Sequence, residues 1–173
     1  GGVTQVVENH IRAIASAGEV DRILLVHDQR AGGLSDETIA RVTSIQVPEF
    51  DYDPPGLPAG SASARCETIF GELESALARA GVQPHRSVLH WHNHSLGKNT
   101  AAPALARRMA SEGWRLLLQI HDFAEDNRPD NYLGLIRAAQ PESPAALDDF
   151  LYPVAPQIHY ATLTGGDAGV LNG

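Results

Sequence analysis

Apolar residues along the chain alternate between two periods, and the alternation predicts the elements. Val3, Val6, Val7, Ile11, Ile14 and Ala15 recur at helical spacing, and Gly18 stands where a helix C-cap belongs. A short apolar run, RILLVH over 22–27, then reads as a buried strand, SDETIAR over 35–41 as a short helix with acids in its first turn, and 43–47 as a second strand. The stretch PEFDYDPPGLPAGSAS is too rich in proline and glycine for either period and predicts a loop, functional or mobile at that length. Ser61 or Ser63 is expected to cap the next helix, whose buried stripe is Ile69, Leu73, Ala76 and Leu77 and whose stop is Gly81.

The second half repeats the alternation. VLHWHNHSLGKN over 88–99 begins as a strand and runs out into polar residues, with Thr100 expected to cap a helix that carries Pro103 in its first turn and Gly113 near its end. WRLLLQIH over 114–121 is the clearest strand and delivers the loop HDFAEDNRP. A helix PDNYLGLIRAA, a shorter helix around 145–150 and a strand QIHYATL complete the series before Thr164-Gly165-Gly166-Asp167 turns into a final helix. Strands alternating with helices imply an α/β fold: a Rossmann-like, mostly parallel sheet with helices on both faces, in one domain spanning 1–173. The first helix has no strand to feed it. In a doubly wound order that strand lies between those near Arg22 and Val88, so a central strand from upstream of Gly1 is expected.

Composition narrows the partners. A formal charge of −8 disfavours a general nucleic-acid surface, which works by neutralising phosphates, and no apolar run approaches the roughly 18 residues of a membrane span. Cys66 is the single cysteine, which excludes an internal disulfide framework and suits a reducing, cytoplasmic setting. Lys98 is the only lysine, so its position in the polar end of 88–99 stands out.

Ligands of open α/β sheets bind beyond the carboxyl ends of the strands, and three stretches place chemistry there. His90, His92 and His94 share one face if the strand persists to 94, an arrangement that invites a metal, with His121, Asp122 and His159 available to complete it. His121-Asp122 ends the clearest strand, beside Glu125, Asp126 and Arg128, where a histidine can exchange a proton or bond a substrate hydroxyl. Gly1-Gly2 before a helix lets the backbone approach an anion at the helix N-terminus.

These stretches together resemble the N-terminal domain of retaining GT-B fold glycosyltransferases, the large family with glycogen-synthase-like and sucrose-synthase-like members. The carriers of the resemblance are Gly1-Gly2-Val3 as the glycine loop after a first strand, His121-Asp122 as the strand-end His, 90–99 as an H-x-H stretch beside the acceptor cleft, and HYATLTGGD as the closing strand and turn. The first strand and a C-terminal nucleotide-binding domain have no counterpart in the 173 residues. The resemblance implies transfer of a sugar from a nucleotide-sugar donor to an acceptor hydroxyl with retention, without a cofactor or metal, in a cleft shared with a C-terminal domain of the same protein. It implies His121 as the catalytic residue, Gly1, Gly2 and Asp122 on the donor, and His92, Asn93, His94, Lys98, Asn99, Glu125 and Arg128 on the substrates. A metal-dependent hydrolase built on His90, His92 and His94, or a binding domain without catalysis, are the alternatives.

Overall fold

The computed structural model describes residues 2–29, 33–126 and 128–172. It is an α/β protein with two small parallel sheets and helices, compatible with a Rossmann-like fold. One domain was expected, and the chain gathers into two compact units, Gly1–Asp51 and Tyr52–Gly173, which are taken in turn.

The first unit opens with α1 (Gly2–Ala17), whose spacing of Val3, Val6, Val7, Ile11 and Ile14 makes it amphipathic and whose Ile11 is buried. Two strands follow, β1 (Leu24–His27) and β2 (Thr43–Gln46), paired in parallel with Leu24 opposite Thr43 and joined through α2 (Asp36–Ile39). Ser35 caps α2 as its sequence predicts, accepting from the Thr38 N–H. Glu8 of α1 reaches the same place: its carboxylate accepts from the Ser35 and Thr38 hydroxyls and pairs with Arg12 at 3.0 Å. The Ser35 hydroxyl leads the contacts that hold the Glu8 carboxyl below its usual range. Gly2 is already inside α1, and Gly1, its partner in the expected anion loop, lies outside the described residues.

The second unit carries three strands in the order β3 (Val88–His92), β4 (Arg115–Ile120), β5 (Ile158–Thr162), all parallel. Between them run α4 (Ala102–Ser111), then α5 (Pro129–Ala139) and α6 (Pro144–Leu151), with α3 (Ala62–Arg79) before the sheet and α7 (Gly165–Asn172) after it. The strands named above as flanks of an upstream strand, β1 and β3, each stand at the edge of their own sheet.

Register sorts the sheet's side chains. Leu116 lies opposite Ile158, and Trp91 opposite Leu118 and Tyr160, so these share a face, and with Ile120 they supply most of the buried sheet residues. Leu105, Ala106 and Met109 of α4 and Ile69, Phe70, Leu73 and Leu77 of α3 are buried as well, with a further cluster of Ala124, Leu135, Leu147 and Leu151. Each such aliphatic side chain withdrawn from water contributes roughly 1.5 to 3 kcal/mol. The opposite face is different. Beside Val88, Leu117 and Ala161 it carries Arg115, His90, His92, Gln119 and His159, more polar than a parallel sheet covered on both sides ordinarily is.

Two expected caps are replaced. Ser61 makes no side-chain cap to α3, and the residue ahead of α4 is Ala101, not Thr100. Asp53, from the proline-rich loop, takes the Thr100 N–H at 2.9 Å and its hydroxyl at 2.6 Å on one oxygen, and Arg65 of α3 at 2.6 Å on the other. A carboxylate that makes both contacts supplies more than a serine could, and it ties the start of that loop to two helices. The loop is tied again at its end, where Gly60 donates to the Arg137 carbonyl at 2.9 Å.

Candidate functional site

β3 stops at His92 because Asn93 adopts a left-handed backbone, φ 54°, a conformation that asparagine tolerates better than branched residues do. Its side chain then bridges to the next strand end: Oδ1 accepts the N–H of His121 at 2.7 Å and of Asp122 at 3.4 Å, while Nδ2 points to the Asp122 carboxylate at 3.5 Å. The Asn93 N–H itself donates to the Gln119 carbonyl at 2.8 Å. The carboxyl ends of β3 and β4 are therefore bound by one residue.

On the polar face the histidines form a chain. His90 and His92 stack with centroids 4.4 Å apart, His90 Nε2 meets Gln119 Oε1 at 2.8 Å, and His92 Nδ1 meets His121 Nε2 at 2.9 Å. Asp122, next in sequence to His121, turns to Arg128 instead, 3.4 Å away, both side chains being more than two-fifths exposed. His92, Asn93, His121, Asp122 and Arg128 thus come together as the sequence predicts, with His121 half-buried at their centre.

The other named residues go elsewhere. His94 is 1% exposed, on the opposite side from His90 and His92: its ring lies 6.4 Å from Trp91 and 6.1 Å from Tyr160, and Nε2 donates to the Leu151 carbonyl at 3.0 Å. The strand does not persist to 94, so His94 neither joins a three-histidine ligand set nor touches a substrate. Burial lowers its pKa to about 4, and it is a neutral core residue. Lys98 lies over Tyr52, 4.6 Å from the ring centre, and donates to its hydroxyl at 3.0 Å; Asn99 Oδ1 accepts the Ala101 N–H at 3.2 Å. Lys98 retains further donors for an anion, whereas the Asn99 amide oxygen is engaged in the turn before α4. Glu125 accepts from the Tyr152 hydroxyl at 2.8 Å, and the same hydroxyl accepts the Ala124 N–H at 3.3 Å. Burial, ahead of the Glu125 charge, pushes the Tyr152 phenol upward, so it remains a donor. Gly2 and His27 belong to the first unit, where His27 bonds Ser44 at 2.6 Å.

Compared with models of protein families, with curated proteins and with solved structures, the chain matches none. The chemistry must therefore be read from the side chains. No described helix is long and apolar enough to cross a membrane. At the strand ends stand the imidazoles of His92 and His121, the Asp122 carboxylate and the Arg128 guanidinium, a set suited to hydroxyl groups and a single negative charge.

Sequence reasoning did not find Gln119, Tyr52, Asp53 or Tyr152, each of which holds a named residue in place. Gln119 alone carried a signal, as an amide interrupting the otherwise aliphatic run of β4.

Proposed function

We propose that the chain forms the N-terminal, acceptor-side part of a glycosyltransferase that moves a sugar from a nucleotide-sugar donor to an acceptor hydroxyl with retention. The supporting observation is His121: it stands at the carboxyl end of the central strand, its backbone held by Asn93 and its ring by His92, beside Asp122 and Arg128. An imidazole so placed bonds a sugar hydroxyl, and Arg128 meets the negative charge of a donor phosphate or an acidic acceptor. In this reading the partners are a nucleotide sugar, a hydroxyl-bearing acceptor and a nucleotide-binding domain of the same protein, in the cytoplasm, and no step is assigned to a metal.

The test is a panel of nucleotide sugars given to the protein as the cell makes it, with transfer and anomeric configuration read together. Turnover with retention is expected, and His121→Ala should lower kcat/KM at least about tenfold, or 1.4 kcal/mol, with little change in melting temperature. Absence of binding and turnover with every donor, or full activity in the variant, refutes the assignment.

A further inference from the structure

The first unit holds a serine and a histidine in contact that the transferase reading does not use. His27 is the last residue of β1, and Leu25, two residues earlier, lies opposite Ser44 of β2. Residues two apart in a strand share a face, so Leu25, His27 and Ser44 project to one side of this sheet. The His27 ring reaches back along that side, and its Nε2 lies 2.6 Å from Ser44 Oγ. The other ring nitrogen, Nδ1, bonds the backbone carbonyl of Asp28. A carbonyl oxygen only accepts, so Nδ1 carries the hydrogen, and in the neutral ring Nε2 turns its lone pair to the Ser44 hydroxyl. A hydroxyl, an imidazole and a third group that orients the imidazole are the parts by which a serine is activated as a nucleophile. We propose that Ser44 is a nucleophile with His27 as its general base, and that the first unit accepts acyl groups from small activated esters.

In the acylation step Ser44 Oγ bonds the ester carbonyl carbon while its proton passes to His27 Nε2; the bond to the alkoxide then breaks, and the alkoxide leaves with that proton, restoring the neutral ring. Water releases the acyl group by the same route: its oxygen bonds the carbonyl carbon, its proton passes to Nε2, and Ser44 Oγ departs and takes the proton back. Access sets the substrate class. Ser44 is exposed and His27 half-buried, so a small, unhindered ester meets the hydroxyl directly. A leaving group that departs readily makes the least demand on oxyanion stabilisation, hence an activated ester. Ser35, in the same unit, shows the contrast. Its hydroxyl also meets a base, the Glu8 carboxylate, but it caps α2 at the same time, and the carboxyl is held below its usual range and is a weak proton acceptor. Ser44 meets an imidazole instead, the side chain most often used as a general base.

The test gives the 173-residue chain a fluorophosphonate, which forms a phosphorus–oxygen bond to an activated serine and releases fluoride, and p-nitrophenyl acetate, which acetylates the serine and releases p-nitrophenol. Peptide mapping should place the label on Ser44, and Ser44→Ala should abolish it. His27→Gln, which can bond the hydroxyl but cannot take its proton, should slow both reactions at least about tenfold, and added imidazole should restore part of the rate in His27→Ala. Ser111→Ala, exposed in the second unit, should change nothing. The wild type carries a control that needs no variant to fold: in urea, where the contact is broken, Ser44 should react no faster than the other serines. Label spread evenly over several serines of the native chain, an equal Ser44 rate in native and urea-unfolded chain, or an unaltered rate in His27→Gln overturns the proposal.

Discussion

Acidification should weaken the second unit through His94, and the size of the effect follows from its burial. The ring is 1% exposed, donates Nε2–H to the Leu151 carbonyl, and offers Nδ1 no polar partner among the described residues. A proton added at Nδ1 would be a buried, unpaired charge, and the pKa falls from 6.5 to about 4. In the unfolded chain the same ring titrates at its ordinary value. Above that value neither state is charged and there is no penalty. As the pH falls below it, the unfolded chain takes up a proton that the native state refuses, and stability is lost until the folded ring titrates as well. Between pH 7 and pH 4.5 the loss is about 2 to 3 kcal/mol, a large fraction of the 5 to 15 kcal/mol typical of a domain. Trp91 and Trp114 are the only tryptophans and both belong to the second unit, so urea unfolding followed by their fluorescence reports on it selectively. His94→Gln keeps a donor for Leu151 and cannot titrate, so its stability should fall less over the same range, by about 2 kcal/mol. Equal pH slopes in the two proteins, or a His94 resonance titrating near its ordinary value, would refute the reasoning.

Gly97→Ala should be costly beyond its backbone strain. At φ 77° the added Cβ would lie 2.8 Å from the Asn131 carbonyl oxygen and 3.0 Å from Leu135 Cδ1, so about 2 to 4 kcal/mol and a clearly lower melting temperature are expected, and an unchanged one would contradict the close approach. Asp53→Ala should cost about 2 to 3 kcal/mol by calorimetry, because Arg65 and Thr100 both lose their partner, while Asp53→Asn should lose less, since its amide oxygen still accepts from Thr100. Equal losses in the two would place the whole effect in the ion pair.

Elements set by local pattern were legible: Ile69, Leu73, Ala76 and Leu77 of the α3 stripe are buried as expected, though Ala62, Cys66 and Phe70 join them unnamed, and β4 was placed to within a residue. Interactions that close over long stretches were not. Asp53 caps α4 from 47 positions away, a displacement of Thr100 from its expected role that no local rule contains. The meeting of His92 with His121 depends on the register of β3 against β4, which hydrophobic period alone leaves undetermined. The error at His94 was geometric. Alternation put it with His90 and His92, and the left-handed turn at Asn93 ended the alternation one residue earlier.

That turn also determines how the segment can change over evolution. Four consecutive residues serve four ends: His92 holds a ring, Asn93 binds two strand ends, His94 fills the core, and Ser95 is fully buried behind it. A substitution at one of them disturbs one of these tasks. Insertion or deletion of a single residue between β3 and Leu96 would reassign all of them at once, moving an imidazole out of the core and a hydroxyl or an amide into its place. Length in this stretch is therefore under tighter constraint than identity, and a homologous chain that keeps the spacing from Trp91 to Gly97 while varying the residues between would be expected to keep the turn.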